Sequence, residues 1–600
     1  MYYEIAVNYN GNFQVFEPYA PAKDRAAWEK VDIMVKEAAI QEAEANMGYA
    51  YPMLPATKYM EFCRIGDRKM YEDLYFARRR MLNVFTMAEC AEHKGRFLDD
   101  IINGVMAICE ETGWQIPAHN HYLNTEVFCL PDRSTPVIDL FAAETAELLS
   151  MVSYLLKEEL DGISPMVTKR IHDEVGERIL IPYLSDKFHW MGGWNGPINN
   201  WTPWITQNVL IALYSREDLT DHQKKLILYQ ATKSLDYFLD TYGEDGCCNE
   251  GAGYYHAAGL CLFNATEVLN EVTRQAFSSV YQEEKVKNIA PYIMNVHVDD
   301  RYYANFSDCS PTAGRAGARE YLFGKRVGNE DMMRFAALDH SRDNGYLNPR
   351  TENLFYRLQA AFTENELRQM DITKPVCKKD LYYESVGLLI ARDSSYFLAV
   401  KSGCNADSHN HNDVGSITVY RDGKPMLIDV GVETYCKKTF SKDRYEIWTM
   451  QSHYHNVVNF GEHQQLPGED YKADVKTVVL EKDYAEITME LSHAYPEKTV
   501  DSYERKVIFE KEKKITIMDR ISEIPNGACL TWMTLGEPKW DGERLTVENS
   551  GSMHIQTDGE VKIEKIILED EKLKGEWGDC VYRTRIYFGK NPEIVTVIGE

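Results

Sequence analysis

The sequence predicts a protein in two parts, a helical N-terminal part and a C-terminal part that forms an antiparallel β-sandwich. Its 600 residues exceed what one core holds, because single hydrophobic cores stop growing near about 250–300 residues. Apolar residues recur at helical spacing from about residue 25 to residue 370, whereas alternating patterns begin after Pro375. We therefore predict a helical domain at 1–375, with a short N-terminal extension, and a β-sandwich domain at 376–600.

The helical prediction depends on amphipathic segments that glycine-rich turns separate. In segment 222–240 the apolar residues fall on one helical face, at Leu228, Ala231, Leu235, Phe238 and Leu239. Similar patterns occupy segments 81–112, 137–158, 205–215, 256–272 and 328–338. The turns between them include Gly192-Gly193 and Gly243–Gly246. Successive helices with no strands between them are typical of stacked helix pairs.

The β prediction depends on short alternating segments. Segment 395–401 (SYFLAVK) predicts one strand, and segment 415–429 predicts two strands around an Asp422-Gly423 turn. Polar residues alternate with β-branched or aromatic ones in 476–491, 502–520 and 580–588. This alternation is typical of antiparallel sheets with one buried face, stacked as a sandwich.

The composition excludes several classes of partner. The formal net charge of −27 argues against broad binding of nucleic acids or anionic membranes. An anionic substrate would need a local basic lining in such a chain. The candidates for that lining are Arg78, Arg79, Arg80, Arg315 and Arg319, although such residues are also typical of a solvated helix face.

Cysteine usage and the N-terminal residues indicate a cellular compartment. The 13 cysteines are odd in number and include no CxxC pair, which is typical of reduced, cytosolic thiols. The first residues lack the basic and apolar regions of a signal peptide, and no apolar run reaches the about 20 residues of a membrane span. We expect a cytoplasmic bacterial protein, or a periplasmic or secreted one if a signal has been removed, and leave homodimer formation open.

A concentration of histidines in the β part indicates a metal site. In an extended segment His409 and His411 would point to one face, because side chains alternate with period two. Asp429 follows 18 positions after His411, and a second pair contributes His453 and His455. Two imidazoles and a carboxylate suit zinc or a similar divalent ion. The alternatives are histidines that only pack in loops, and a cupin-like metal oxygenase site.

Two polar motifs interrupt the predicted helices. One is WNGPINNW, from Trp194 to Trp201, and the other is DGCCNEGAGYYH, from Asp245 to His256. Both are turns that lead into apolar helical segments, and such turns lie on the rim of a helical domain, where sites form. Helix caps with packing aromatic residues are the alternative interpretation.

Together these motifs resemble the heparinase II/III-like polysaccharide lyases, in the order and at spacings compatible with that family. The matching elements are Asn199-Asn200-Trp201, Asp245-Gly246, Glu250–Tyr254, His409–Asp413, Leu427–Gly431, Ser452 and His455–Val458. The resemblance covers roughly residues 190–460 by motif. It implies an incomplete (α/α) toroid followed by an antiparallel β-sandwich, with β-elimination of heparin, heparan sulfate, chondroitin, hyaluronan or alginate.

The resemblance also implies roles for individual residues. By motif match, Tyr254 takes the place of the catalytic tyrosine and His409 that of the catalytic histidine. Asn199 or Asn200 takes the place of the residue that binds the substrate carboxylate. The implied metal ligands are His411, Asp429 and His455, and the expected ion is a structural zinc, with manganese or calcium as alternatives.

A wider set of residues is predicted to contact the substrate. These residues are Trp201, Glu250, Tyr255, Arg80, Tyr435, Arg444 and Tyr445. Tyr254 is preferred over Tyr255 only for its distance from Glu250, and Tyr435 and Tyr445 compete for the tyrosine that relatives carry in the sandwich.

The expected function is a polysaccharide lyase for glycosaminoglycan oligosaccharides, which leaves unsaturated uronate ends. The alternatives are an oligoalginate lyase and a non-catalytic glycan-binding protein. An amide of Asn199 or Asn200 would neutralise the uronate carboxylate. Tyr254 would then serve as base and acid in turn, or His409 would be the base and Tyr254 the acid. The metal would act on the site through architecture.

Overall fold

A computed structural model describes residues 1–121, 128–193, 198–342 and 352–599. Contacts within the chain divide it into two units. The helical unit comprises Met1–Thr241, His256–Ala290 and Arg315–Val376, and the β unit comprises Tyr242–Tyr255, Pro291–Gly314 and Cys377–Glu600. The domain ranges 1–375 and 376–600 stay predictions, and the segments 242–255 and 291–314 group with the β unit.

The α-helices of the described ranges follow one another with few interruptions before residue 370. In chain order they are α1 (Tyr2–Asn8), α2 (Arg25–Glu29), α3 (Ile33–Glu44), α4 (Ala56–Ile65), α5 (Lys69–Glu92), α6 (Leu98–Cys109), α7 (Leu140–Leu155), α8 (Lys157–Ile163), α9 (Pro165–Val175), α10 (Ile181–Ser185), α11 (Trp201–Tyr214), α12 (Asp221–Thr241), α13 (Ala252–Tyr255), α14 (Gly259–Val272), α15 (Glu284–Ile289), α16 (Tyr292–Val296), α17 (Ala318–Val327), α18 (Glu330–Ser341), α19 (Leu354–Gln369) and α20 (Glu571–Trp577). Helices α13, α16 and α20 lie in the β unit.

The helical unit is organised by apolar faces, as the periodicity predicts. Helix α12 buries Leu228, Ala231 and Leu235 on the predicted face. Helix α11 is buried around most of its circumference and packs against α7, α12 and α14, which is the environment that an apolar helix requires. Across the described ranges, no helix combines the length and the apolar character that crossing a membrane requires.

The β unit is built of antiparallel strands. They are β1 (Leu381–Tyr383), β2 (Leu388–Arg392), β3 (Tyr396–Lys401), β4 (Cys404–Asn405), β5 (Ile417–Arg421), β6 (Lys424–Leu427), β7 (Val458–Phe460), β8 (Gly468–Lys472), β9 (Asp474–Glu481), β10 (Tyr484–Glu490), β11 (Tyr503–Glu510), β12 (Lys514–Ile521), β13 (Ala528–Thr534), β14 (Pro538–Trp540), β15 (Arg544–Val547), β16 (Gly551–Gln556), β17 (Val561–Ile567), β18 (Cys580–Tyr587) and β19 (Glu593–Ile598). The sheet orders are β1-β2-β3-β5-β6, β14-β15-β16-β19-β12-β11-β10-β9, β17-β18-β13-β7 and β4-β8.

The sheets bury a shared apolar core, which confirms the predicted β-sandwich. Strands β10, β11 and β12 alternate buried with less buried residues, as the period-two pattern predicts. Val419, Val507 and Leu530, from three different sheets, belong to one buried cluster. The β5–β6 hairpin turns at Asp422 and Gly423, whose φ values of 49° and 73° are those of a type I′ turn. The predicted fold class, helical and then antiparallel β, is therefore confirmed.

A buried polar network fixes the loops at the ends of β5 and β6. Arg505 is fully buried, pairs with Asp519 at 2.7 Å and donates at 2.6 Å to the backbone carbonyls of Gly415 and Asn456. The Asn456 amide donates to the carbonyls of Ile417 and Ile428. Because buried polar networks are costly unless satisfied, these bonds hold the flanking segments in one arrangement. Those segments carry the histidines and the aspartate predicted as metal ligands.

Candidate active site and metal centre

His409 and His411 lie on a loop between β4 and β5, so the assumption that their segment is extended is wrong. His409 has a φ of 56°, in the left-handed region. Non-glycine residues adopt this region rarely, and it changes the direction of the side chain relative to a strand. His411, two residues on, is fully buried, whereas the His409 side chain is 17% exposed. Both imidazoles nevertheless form a hydrogen bond with the same residue, which the sequence analysis does not indicate.

That residue is Asp308, which joins the two histidines. Its Oδ2 lies 2.8 Å from Nδ1 of His409, and its Oδ1 lies 3.0 Å from Nε2 of His411. Because an ionised carboxylate only accepts hydrogen bonds, we assign the proton of His409 to Nδ1, which leaves Nε2 for other chemistry. Asp308 lies about 100 positions before His409 in a coil segment, so neither spacing nor periodicity could identify it.

Arg444 donates hydrogen bonds both to the Asp308 carboxylate and to nearby backbone carbonyls. Its guanidinium donates to Oδ1 of Asp308 at 2.6 Å and to the carbonyl oxygens of His409 at 2.9 Å and of Asn410 and Thr439 at 3.0 Å. These protein acceptors occupy its fork, and its side chain is 11% exposed. The geometry therefore favours a positioning role for Arg444 over the substrate contact predicted for it.

The surroundings of Asp308 keep its carboxylate ionised. Burial alone would raise the pKa of Asp308. The hydrogen bonds from His409 and His411 and the charge of Arg444 outweigh burial and hold that pKa well below its ordinary value. Asp308 is therefore a fixed negative charge beneath His409.

A pair of tyrosines completes the cluster. The hydroxyl oxygens of Tyr254 and Tyr435 lie 2.5 Å apart, and the Tyr435 hydroxyl donates to Oδ2 of Asp308 at 3.1 Å. The ring of Tyr254 stacks on the imidazole of His409 with centroids 5.0 Å apart. Burial raises the pKa of Tyr254 well above its ordinary value, and the carboxylates of Glu250 and Asp308 add to this rise. Tyr254 is therefore a neutral phenol at neutral pH.

The glycine-rich motif explains how Tyr254 reaches this place. Gly251 has a φ of 84°, and a Cβ there would lie 2.5 Å from Cβ of Cys309, so only glycine fits. Helix α13 starts at the next residue and carries Tyr254. Glu250 is buried, accepts a hydrogen bond from the Ser408 hydroxyl at 3.3 Å and lies 3.7 Å from Nε2 of His409.

The structure places Tyr254 and Tyr255 in different surroundings, and likewise Tyr435 and Tyr445. Tyr255 is fully buried and its ring lies 5.9 Å from that of Tyr292, so its position is one of packing, unlike the predicted substrate contact. Tyr445 accepts a hydrogen bond from the Asn410 amide at 3.2 Å. Of the two sandwich candidates, it is Tyr435 that meets Tyr254.

The predicted residues of the Asn-Asn-Trp motif lie in the helical unit. Oδ1 of Asn199 accepts from the backbone N–H of Trp201, the first residue of α11, at 3.0 Å, and the N-cap residue Asn200 is buried. The Trp201 ring lies 4.5 Å from the ring of His119 and 5.2 Å from that of His189. Neither of these histidines was predicted. The start of the motif, residues 194–197, lies outside the described residues.

The arginines predicted as a basic lining have partners inside the helical unit. Arg80 pairs with Glu352 at 2.6 Å, and Arg315 pairs with Asp339 at 2.9 Å. Arg78 and Arg79 both pair with Glu111, at 3.1 Å and 2.7 Å, and are buried. Because Arg78 and Arg79 are buried, the prediction that these two residues line a substrate site is wrong. The contact predicted for Arg80 stays a prediction.

The predicted metal ligands come together in the β unit. His411, Asp429 and His455 are buried, and each offers a ligand atom within 4.8 Å of the others. Nδ1 of His411 has no hydrogen-bond partner among the described residues, while Nε2 of the same ring is held by Asp308. An unpartnered buried nitrogen beside a carboxylate is what a divalent cation would satisfy, so these residues fit such an ion. The metal identity stays a prediction.

Removal of one ligand should separate a metal site from a cluster of packed histidines. We expect His455→Ala to lose bound metal, from about one ion per chain to almost none, and to lower Tm by on the order of 10 °C. His453→Ala is the matched control, because His453 bonds to the Gly461 carbonyl at 3.0 Å and does not belong to the group of His411, Asp429 and His455. The measurements are elemental analysis and thermal unfolding, with and without a chelator. Equal metal contents in the two variants would contradict the site.

The fold defines a protein of the class that joins a helical toroid to a β-sandwich. Residues 378–571 match the family model described as heparinase II/III-like, C-terminal. The chain therefore carries a heparinase II/III-like C-terminal domain, which confirms the resemblance to that family.

Solved structures show the same fold over the whole chain. A mutant of the heparan sulfate lyase HepC from Pedobacter heparinus has a TM-score of 0.59 and 14% identity, with 100% of this chain and 87% of that chain covered. A structure titled heparinase III also has a TM-score of 0.59, with 12% identity and coverage of 99% and 93%. No curated protein matches the sequence significantly.

Proposed function

We propose that this protein is a polysaccharide lyase that cleaves uronate-containing oligosaccharides by β-elimination, with glycosaminoglycans as the first substrate class. The observation that carries the proposal is the convergence of Tyr254, Tyr435, His409 and Asp308 in one hydrogen-bonded cluster. Nε2 of His409 and the phenol of Tyr254 supply a proton acceptor and a proton donor, which β-elimination requires. The family domain and the fold support the same reaction.

The arrangement suggests how the two protons move. His409 takes the C5 proton of the uronate on Nε2, and the electrons of that C–H bond form the C4=C5 double bond. The C4–O bond breaks, and its oxygen takes the phenolic proton of Tyr254. The product ends are an unsaturated uronate and a free hydroxyl, and no oxidant or water is consumed. Proton exchange with solvent returns His409 and Tyr254 to their starting forms.

The raised pKa of Tyr254 supports one of the two roles that the sequence leaves open. A phenol that stays protonated at neutral pH is suited to donate a proton, whereas a base role would require it to ionise first. The carboxylate of Asp308 stabilises the cation that forms on His409, as an orienting carboxylate does for a catalytic imidazole. We therefore assign the base to His409 and the acid to Tyr254.

The uronate carboxylate must be neutralised before its C5 proton becomes acidic. Asn199 and Asn200 are proposed for this task from the family resemblance, as preorganised amide donors. In the β unit, Lys572 lies with its Nζ 5.4 Å from the ring centroid of Tyr435 and adds a positive charge beside the cluster. A structural zinc ion on His411, Asp429 and His455 is proposed to fix the loop that carries His409.

Two further properties are part of the proposal. The 13 cysteines are free in the structure, including exposed Cys129, Cys377 and Cys436, which supports a reducing compartment such as the cytoplasm. The proposed partner is an anionic oligosaccharide. This proposal applies equally to a monomer and to a homodimer of this chain.

The proposal is tested by absorbance of the unsaturated uronate product. Oligosaccharides of heparan sulfate, chondroitin, hyaluronan and alginate are incubated separately with the zinc-loaded protein. A steady rise with one of them supports the lyase and identifies the glycan, and a rise with alginate alone selects the oligoalginate alternative. Binding without a rise, measured by calorimetry on the same panel, would contradict the lyase and favour a glycan-binding protein.

A further inference from the structure

A large aromatic side chain stands exposed directly beside the candidate catalytic cluster. Phe440 is 60% exposed. Its ring centroid lies 5.0 Å from that of Tyr435 at an interplanar angle of 71°, and 6.0 Å from that of His409 at 87°. Phe440 therefore lies against two rings of the candidate site and keeps more than half of its surface in water.

The backbone around Phe440 is held in place. Residues Lys437–Phe440 form a short 3-10 helix, and the buried Thr439 hydroxyl accepts a hydrogen bond from the backbone N–H of Cys436 at 3.1 Å. The Thr439 carbonyl accepts from Arg444, the same residue that binds Asp308. Phe440 is therefore positioned by the network that positions His409. A preorganised exposed ring gains more from binding than one that must first be ordered.

Four basic residues and one acidic residue lie within four positions of Phe440, in a chain of net charge −27. Lys437 and Lys442 are exposed, and the carboxylate of Glu446 interacts electrostatically with Lys442. Lys438 is neutralised by Glu446 at 2.8 Å. The segment thus carries two exposed ammonium groups within three positions of an exposed aromatic ring, a combination suited to an anionic sugar residue.

We propose that Phe440, Lys437 and Lys442 form a substrate subsite for an anionic sugar residue of the same oligosaccharide that reacts at His409 and Tyr254. The Phe440 ring contacts the C–H face of the pyranose, and the lysines bind its carboxylate or sulfate groups. The inference rests on the proposed lyase function and deepens it. Phe440 binds the substrate in this scheme, and no proton passes through it.

The first experiment separates binding from chemistry at Phe440. On the panel glycan that the wild-type protein cleaves, Phe440→Ala is expected to raise KM about tenfold while kcat changes less than threefold, and Phe440→Trp is expected to restore KM. Ile567→Ala is the matched control, because Ile567 is 62% exposed and lies in β17 at the edge of its sheet. An unchanged KM in Phe440→Ala, or a loss that Phe440→Trp fails to restore, would overturn the subsite.

The second experiment tests the charges. Lys437→Gln with Lys442→Gln is expected to weaken binding about tenfold at low salt and to flatten the dependence of KM on ionic strength. The control is Lys482→Gln, an exposed lysine in the turn between β9 and β10. A salt dependence equal to that of the wild type would overturn the role of the lysines.

The two proposals fail in different ways. If the wild-type protein turns over a panel glycan and the Phe440 variants match it, the subsite is wrong and the lyase stands. If the wild-type protein binds tetrasaccharides of the panel without turnover, and Phe440→Ala weakens that binding, the lyase is wrong and the subsite stands. If it neither binds nor cleaves any of them, both are wrong.

Discussion

Tyr254→Phe is expected to lower kcat by about 10²–10⁴-fold while leaving KM within a few-fold of the wild-type value. The substitution removes one hydroxyl and keeps the ring that stacks on His409 at 5.0 Å. The C5 proton still has an acceptor in His409, but the leaving oxygen no longer receives a proton. Loss in kcat without loss in binding is the signature of a group that acts in the transition state.

The measurement is the initial rate of product absorbance across substrate concentrations, with thermal unfolding to show that the variant is folded. Tyr382→Phe is the matched control, because its hydroxyl bonds to that of Ser402 at 3.3 Å and the residue lies in β1. Tyr435→Phe should give a smaller loss, since Tyr435 supports Tyr254 through one hydrogen bond. A Tyr254→Phe variant with more than a tenth of wild-type kcat would contradict the acid role.

Local motifs in the sequence indicate the candidate site, but they do not indicate residues that join it only through the tertiary structure. His409, Tyr254 and the three predicted metal ligands stand in short runs whose composition is unusual, so the family resemblance could indicate them as candidates. Asp308 stands in a polar coil with no such run, although it contacts His409, His411 and Tyr435. Its importance comes from residues distant in the chain, and one sequence does not show which of its acids they meet.

The fold shows the same division between local and long-range information. Alternation predicted strands β10, β11 and β12, because one buried face imposes period two on each strand. Segments 242–255 and 291–314 lie among helical sequence but group with the β unit. Their helices are α13 and α16, of four and five residues, too short for periodicity to indicate which core they join. The sequence therefore predicts Tyr254 as a candidate residue, but it does not predict that the segment carrying Tyr254 groups with the β unit.

Asp308→Asn is expected to affect catalysis and the metal centre together, because one carboxylate serves both. The amide keeps the size of the side chain but cannot accept from His409, His411 and Tyr435 as two ionised oxygens do. His409 then loses the charge that stabilises its protonated form, and kcat should fall by about 10²–10⁴-fold. The partner of Nε2 of His411 changes from an ionised carboxylate to a neutral amide, and metal affinity should weaken by about 10–100-fold.

Saturating zinc distinguishes these two effects. With the metal site filled, the catalytic loss should remain, because it arises at His409, whereas a fall in Tm that weaker zinc binding causes should be reversed. The readouts are kcat at two zinc concentrations and Tm at the same concentrations. Asp422→Asn is the control, since Asp422 is an exposed carboxylate in the β5–β6 turn, where asparagine tolerates its φ of 49°. Full recovery of kcat with zinc would show that Asp308 acts only through the metal ligand His411, and would contradict its role beneath His409.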